Sequence, residues 1–247
     1  MMRLLVSVRD ASEALVAAHG GADFIDAKEP GRGALGDLPL PTIRAIVDRL
    51  RDAGIAQPVS ATIGDLPMRE LAQILRRVDA VAECGVDYVK VGIEAQPDAH
   101  DVLDALARSA ASVVPVFIAD RGLEPELIAH ALGLGFAGVM ADTADKRAGS
   151  LFDAVTRVAL ARFVARARAA HVMVGLAGAL QPAHAHVLAE LAPDFAGFRS
   201  AVCEGDRSGA LDAVRLRELA VAVREAQASL TRVSPSSSTR MRASSAR

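Results

Sequence analysis

Three phrases spread along this chain, HGGADFID at 19–26, ECGVDYVK at 83–90 and GLGFAGVMAD at 133–142, follow one pattern. A helix ends, glycine turns the chain, and a short apolar strand begins. Glycine suits that turn because it takes the left-handed conformation without steric cost. Strands alternating with helices are bound to pair in parallel, since a parallel neighbour needs a crossover of a dozen or so residues. The chain is therefore an α/β protein made by repeating one strand–helix unit.

Apolar or β-branched runs recur at 4–8, 24–28, 58–63, 88–93, 113–120, 136–142, 171–177 and 195–201. Between them lie Ala-, Leu- and Arg-rich stretches of helical periodicity, among them 40–53, 68–84 and 151–170. Asp10 and Ser12 stand before the first helix, Pro41 in the first turn of the second and Asp98 before the fourth, as helix starts require. Gly20, Gly21, Gly54, Gly85, Gly133 and Gly135 stand where helices should end. Eight units in about 230 residues predict a single-domain (β/α)8 TIM barrel over residues 1–230. A doubly wound open sheet would want a glycine-rich nucleotide turn after its first strand, and Val8-Arg9-Asp10-Ala11-Ser12 has no glycine.

Apolar residues make up 51% of the chain and aromatic ones 3%, so the core must be Ala, Val, Leu and Ile. The 28 basic and 30 acidic residues nearly cancel, which argues against a nucleic-acid surface. Cys84 and Cys203 are too few for a disulfide framework and lack metal-ligand spacing; no metal and no cofactor is expected. No apolar run reaches the roughly 18 residues of a membrane span, and 4–8 is too short for a signal peptide. A soluble cytoplasmic protein without nucleic-acid or membrane partners is expected, and its Ala-rich exterior leaves a homo-oligomer open. Residues 231–247 hold six Ser, four Arg and no acid, a composition that predicts a disordered basic tail outside the fold.

The basic residues are 25 arginines and only three lysines, Lys28, Lys90 and Lys146. Lys28 closes the second predicted strand, Lys90 lies within the fourth and Lys146 follows the sixth. Catalytic groups of such barrels stand at the carboxyl ends of the strands, and alternate strands feed one inward layer, so the three lysines should converge. Asp26 precedes Lys28 by two residues and faces the same side; Asp142 ends the sixth strand, four residues before Lys146. Buried charges must pair, and crowding of ammonium groups should lower one lysine's pKa from its free value of about 10.4. A neutral lysine amine can attack a carbonyl and form an imine, which a guanidinium cannot. Leftover surface lysines and salt bridges that merely close the barrel mouth are the competing explanations. Lysine is absent from every predicted outer helix, which favours a functional cluster.

The loops after strands seven and eight, which commonly hold phosphate in these barrels, contain Leu176-Ala177-Gly178-Ala179-Leu180 and Gly197-Phe198-Arg199-Ser200-Ala201. Gly178, Ser200 and a bidentate Arg199 are the predicted phosphate ligands. The glycine-rich loop Glu29-Pro30-Gly31-Arg32-Gly33-Ala34-Leu35-Gly36 could fold over a ligand, and Ser60, Thr62 and Asp65 add polar groups at the third strand. His184 and His186 diverge on a helix and make a poor metal pair.

LLVSVRD, GGADFIDAKEPGRGALG, PVSATIGDLP, YVKVGI, GVMADTADK, SLFD, GLAGAL and GFRSAVCEGDR together resemble the (5-formylfuran-3-yl)methyl phosphate synthase family, from about residue 3 to residue 225. The resemblance implies a (β/α)8 barrel and a lyase that condenses two glyceraldehyde 3-phosphate molecules to a furan aldehyde phosphate, with loss of phosphate and water. The product of that family feeds furan-containing one-carbon carriers such as methanofuran. By the same resemblance Lys28 is the Schiff-base lysine and Lys90 the proton-transfer residue, with Asp26, Asp142 and Lys146 as family site residues. Two other readings remain: a generic imine-forming aldolase or phosphosugar isomerase, and a phosphometabolite-binding protein whose tail docks a partner.

Overall fold

The computed structural model of the chain describes residues 1–233. Strand β1 (Arg3–Val8) leads to helix α1 (Ala11–His19), β2 (Phe24–Ala27) to α2 (Leu40–Asp52), β3 (Val59–Thr62) to α3 (Leu71–Ala82), and β4 (Tyr88–Ile93) to α4 (Ala99–Ala107). The second half continues with β5 (Val113–Ile118), α5 (Pro125–Gly133), β6 (Gly138–Asp142), α6 (Leu151–Ala154), α7 (Arg157–Ala169), β7 (Met173–Leu176), α8 (Ala185–Leu191), β8 (Phe195–Phe198) and α9 (Ala213–Val233). Each strand pairs in parallel with the next, and β8 returns to β1, closing an eight-stranded barrel. The expected (β/α)8 architecture is the one observed.

Local chemistry explains most element ends. The Asp10 carboxylate caps α1 by accepting from the backbone N–H groups of Ser12 and Glu13, which satisfies two of the orphan donors there. Gly85, after α3, has φ of 85°, a conformation that costs a side-chain-bearing residue energy. Asp98 stands at the start of α4 but its side chain makes no capping bond. The stretch 151–170 is two helices rather than one. Ser150 and Asp153 form a capping box for α6, the chain extends at Val155, and Thr156 caps α7 through the Ala159 N–H. Strand β7 starts later than residue 171 because His171 sits at φ 56°, and β8 ends at Phe198 because Arg199 leaves the extended conformation. Helix α9 runs on to Val233, three residues into the segment assigned to the tail. The rest of that tail lies outside the described residues.

Two apolar layers hold the barrel. The outer one packs the outward strand positions, such as Val6, Ile25, Val89 and Val174, against inward helix faces carrying Ile43, Leu103 and Leu160. The inner one fills the barrel's lower half with Leu5, Phe24, Val114, Val116, Met140 and Phe195. Phe24 and Phe195 meet at 5.6 Å between ring centroids, and Arg3 covers the Phe24 ring at 4.6 Å. Gly175 makes room for them, since a Cβ there would lie 2.2 Å from the Phe195 ring. Each fully buried Leu or Phe of this plug stabilises the fold by about 1.5–3 kcal/mol. The plug also keeps water from reaching the polar layer above it from below.

Candidate active site

Above the plug, the register sets Ser7 of β1, Asp26 of β2 and Ser60 of β3 side by side. Asp26 accepts from the Ser7 hydroxyl at 3.0 Å, from the Ser60 hydroxyl at 2.7 Å and from Lys90 Nζ at 2.6 Å. One level higher, Lys28 follows the end of β2 and is kept in line by its backbone N–H donating to the Val8 carbonyl. Its Nζ lies 3.3 Å from Asp142 Oδ2. The other oxygen of Asp142 accepts from the Thr143 N–H at 2.8 Å and from the Lys146 ammonium. All five charged residues singled out in the sequence thus line one pocket, as two bonded groups, at the carboxyl ends of the strands.

These side chains are almost fully buried. Asp26 is 1% exposed, Asp142 2%, Lys90 3% and Lys28 6%, a placement that is tolerable only because every charge has an opposite partner. Burial pushes the Lys90 amine below its ordinary range, against the pull of Asp26 and with the help of the Lys28 charge. Burial likewise lowers Lys146, to about 8, even though Asp142 favours its charged form. Burial alone would raise the Asp142 carboxyl, but Lys146 and Lys28 reverse this and hold it well below the usual carboxylate range. The Lys146 amine, brought down to about 8, therefore stands beside a carboxylate that stays charged, an arrangement suited to proton transfer.

The rim over β7 and β8 completes the pocket, with Gly178 (φ 122°), Ala179 (φ 45°) and Ser200 lining it. Arg199 does not act there as the sequence led us to expect. Its guanidinium spends all five N–H groups on the protein: Nε on the Arg207 carbonyl, Nη1 on the Ser7 carbonyl and Glu13, Nη2 on Glu13 and the Gly209 carbonyl. No donor is left for a phosphate. Sequence reasoning passed over Arg207 and Ser7, which line the same pocket. Ser7 had a signal, a hydroxyl at an inward position of the apolar strand Leu4-Leu5-Val6-Ser7-Val8.

The loop after β2 borders the pocket through Pro30. Asp65 accepts from the Ala34 and Leu35 N–H groups at 2.8 and 3.0 Å, and the Thr62 hydroxyl donates to the Gly36 carbonyl at 2.8 Å. Leu35, 1% exposed, is thereby pressed into the inner apolar layer. The cavity left among the lysines is about 40 Å³, room for a few waters. A neighbouring cavity of about 560 Å³, lined by Ala34, Asp65, Arg69, Gly92, Glu94 and Arg121, opens on the other side of that loop. Cys203 is buried, and burial pushes its thiol up, which makes it a poor nucleophile. Among the described residues no group of three or more His, Cys, Asp or Glu is placed to hold a metal ion, and no helix is long and apolar enough to cross a membrane.

Comparison with known proteins adds an independent finding. The profile of one family, 4-HFC-P synthase, matches residues 4–220 of the chain. A Methylorubrum extorquens relative is 40% identical over 223 residues, covering 90% of this chain and 92% of its own. The (5-formylfuran-3-yl)methyl phosphate synthase of Archaeoglobus fulgidus is 37% identical over 242 residues, covering 91% and 99%. Among solved structures, phosphoribosyl anthranilate isomerase from Thermotoga maritima superposes with a TM-score of 0.64 at 13% identity, covering 91% of this chain and all of its own. A 3-hexulose-6-phosphate synthase does so with 0.54 at 20%, covering 88% and 99%. At those identities the structural likeness concerns the fold alone.

Proposed function

Because this chain belongs to the 4-HFC-P synthase family, we propose that it condenses two molecules of glyceraldehyde 3-phosphate to (5-formylfuran-3-yl)methyl phosphate through a lysine Schiff base. Two three-carbon phosphates give one six-carbon furan phosphate, one inorganic phosphate and two waters. Carbon, phosphorus and oxidation level balance without an added oxidant or reductant. The step makes the protein a carbon–oxygen lyase serving synthesis of furan-containing one-carbon carriers of the methanofuran type, in a cytoplasm where Cys84 and Cys203 stay as free thiols.

One observation supports this reading above the others: all three lysines of the chain line one pocket. In the reaction, the Lys28 amine passes a proton to a base and adds to the aldehyde carbon of one triose, and water leaves, giving an iminium. Its positive nitrogen draws electrons from the neighbouring carbon, whose proton passes to a base, and the resulting enamine attacks the carbonyl of the second triose. On this reading Lys90, held by Asp26, moves protons at this stage, and Lys146 beside Asp142 is a second group of lowered pKa near Lys28. Phosphate elimination and ring closure follow with further proton transfers, and water then hydrolyses the Lys28 imine, freeing the product aldehyde and the amine.

The test is to incubate purified protein with glyceraldehyde 3-phosphate alone and to follow ultraviolet absorbance, phosphate release and product mass together. A furan chromophore rising in step with one phosphate per product supports the reading. A condensed or isomerised product without the chromophore would replace it with a generic imine aldolase or phosphosugar isomerase.

A further inference from the structure

We infer that Arg207 is the guanidinium that grips the substrate phosphate, and that Arg199 is a positioning residue that holds the loop carrying it. The inference rests on the triose phosphate reading for the identity of the ligand, while its geometry stands on the residues alone.

Arg207 lines the same pocket as Lys28, Lys146, Gly178 and Ser200. Among the described residues its side chain donates no hydrogen bond and has no carboxylate within salt-bridge distance, although it is only partly exposed. Arg199, the residue directly after β8, is by contrast saturated by Glu13 and three carbonyls. A half-buried, unpaired guanidinium facing a pocket is an anion receptor in wait, since its planar fork matches phosphate oxygens.

The loop that bears it is tied at many points. Cys203 bridges Leu211, and the Glu204 N–H donates to the Ala210 carbonyl. Arg9 donates to the Ser208 carbonyl at 2.6 Å, Arg215 to the Cys203 carbonyl at 2.7 Å, and Arg199 to the carbonyls of Arg207 and Gly209 at 2.9 and 2.8 Å. Gly209 allows the close turn, because a Cβ there would lie 1.8 Å from the Glu204 carbonyl oxygen. Glu13 on α1 anchors Arg199 and Arg9 together. The Glu13–Arg199 pair thus fixes the backbone of the very residue whose side chain is free.

Charge agrees with this. With its amines protonated, and with Arg199 neutralised by Glu13, the pocket sets Lys28, Lys90, Lys146 and Arg207 against Asp26 and Asp142, a surplus of two positive charges. A phosphate monoester carries about −1.5 to −2 at pH 7, so it neutralises the pocket.

The experiment uses the full chain with inorganic phosphate as probe, read by titration calorimetry, beside steady-state turnover of glyceraldehyde 3-phosphate. Arg207→Gln is expected to weaken phosphate binding by about tenfold to a hundredfold and to raise KM, with amide exchange at 203–211 unchanged. Arg207→Lys should recover part of the binding. Arg199→Lys should raise amide exchange across 203–211, a change that loss of a phosphate ligand alone would not cause. Wild-type phosphate affinity in Arg207→Gln overturns the inference, as does a wild-type chain that binds no phosphate. If phosphate binds through Arg207 but no furan product forms, the inference stands and the proposed reaction falls; furan synthesis with phosphate binding indifferent to Arg207 gives the reverse.

Discussion

Lys90 donates to Asp26 across 2.6 Å at the centre of the barrel, and neither residue is more than 3% exposed. Ser7 and Ser60 also donate to Asp26, one to each oxygen, so the carboxylate is held from three sides. Breaking such a pair leaves a charge buried without a partner, at a cost of about 3–5 kcal/mol.

Asp26→Asn is therefore expected to destabilise the protein by about that amount, and the double variant Asp26→Asn with Lys90→Met to recover much of it. Urea unfolding of the two single variants and the double variant checks this. Turnover should fall by about 10²–10⁴-fold in Lys90→Met; wild-type turnover in that variant would remove Lys90 from proton transfer.

The Lys146 amine carries a sign that can be read in stability. Its pKa is lowered from 10.5 to about 8 in the fold by burial. Between those two values the unfolded chain binds the proton that the native chain has released, so native stability gains with rising pH across pH 8 to 10.5, by up to about 1.4 kcal/mol per pH unit. The difference in unfolding free energy between wild type and Lys146→Met should therefore shift in favour of wild type over that window. Asp142 acts at the other end: its lowered pKa makes its contribution complete above the unfolded value and lost as acid approaches the folded one. A Lys146→Met difference that stays flat from pH 8 to 10 contradicts this assignment.

The loop after β2 is latched by Asp65. Asp65→Ala removes the acceptor of the Ala34 and Leu35 N–H groups and should cost about 1–3 kcal/mol, with faster amide exchange confined to residues 33–36. Gly92 tests the same contact from below, since a Cβ there would lie 2.9 Å from Leu35 Cδ1. Gly92→Ala is expected to cost about 1–3 kcal/mol by overpacking, and Leu35→Ala in the same chain to relieve it. Additive costs in the double variant would show that Leu35 does not occupy the barrel mouth in solution.

The sequence carried the barrel and the lysine cluster because both rest on short-range regularities. Glycine-marked turns count the units, and the period of two in a strand puts Asp26 and Lys28 on one face. The capping residues Ser150 and Thr156 also announced the break between α6 and α7, but continuous helical periodicity across 151–170 masked it. Arg199 and Arg207 could not be told apart in the same way. Both are arginines near glycine after one strand, and what separates them is the Glu13 carboxylate, which lies 186 residues from Arg199 in the chain. Leu35 was likewise hidden: an apolar residue inside a glycine-rich loop gives no hint that it will reach Val116 and Ile118.

Lys28 as the imine-forming residue is tested most directly by borohydride reduction of the full chain in the presence of glyceraldehyde 3-phosphate, followed by peptide mapping. A single triose phosphate adduct on Lys28 is expected, absent from Lys28→Arg, while that variant unfolds at the wild-type temperature and makes no furan product. An adduct on Lys90 or Lys146 in place of Lys28, or furan synthesis that survives Lys28→Arg, would contradict it.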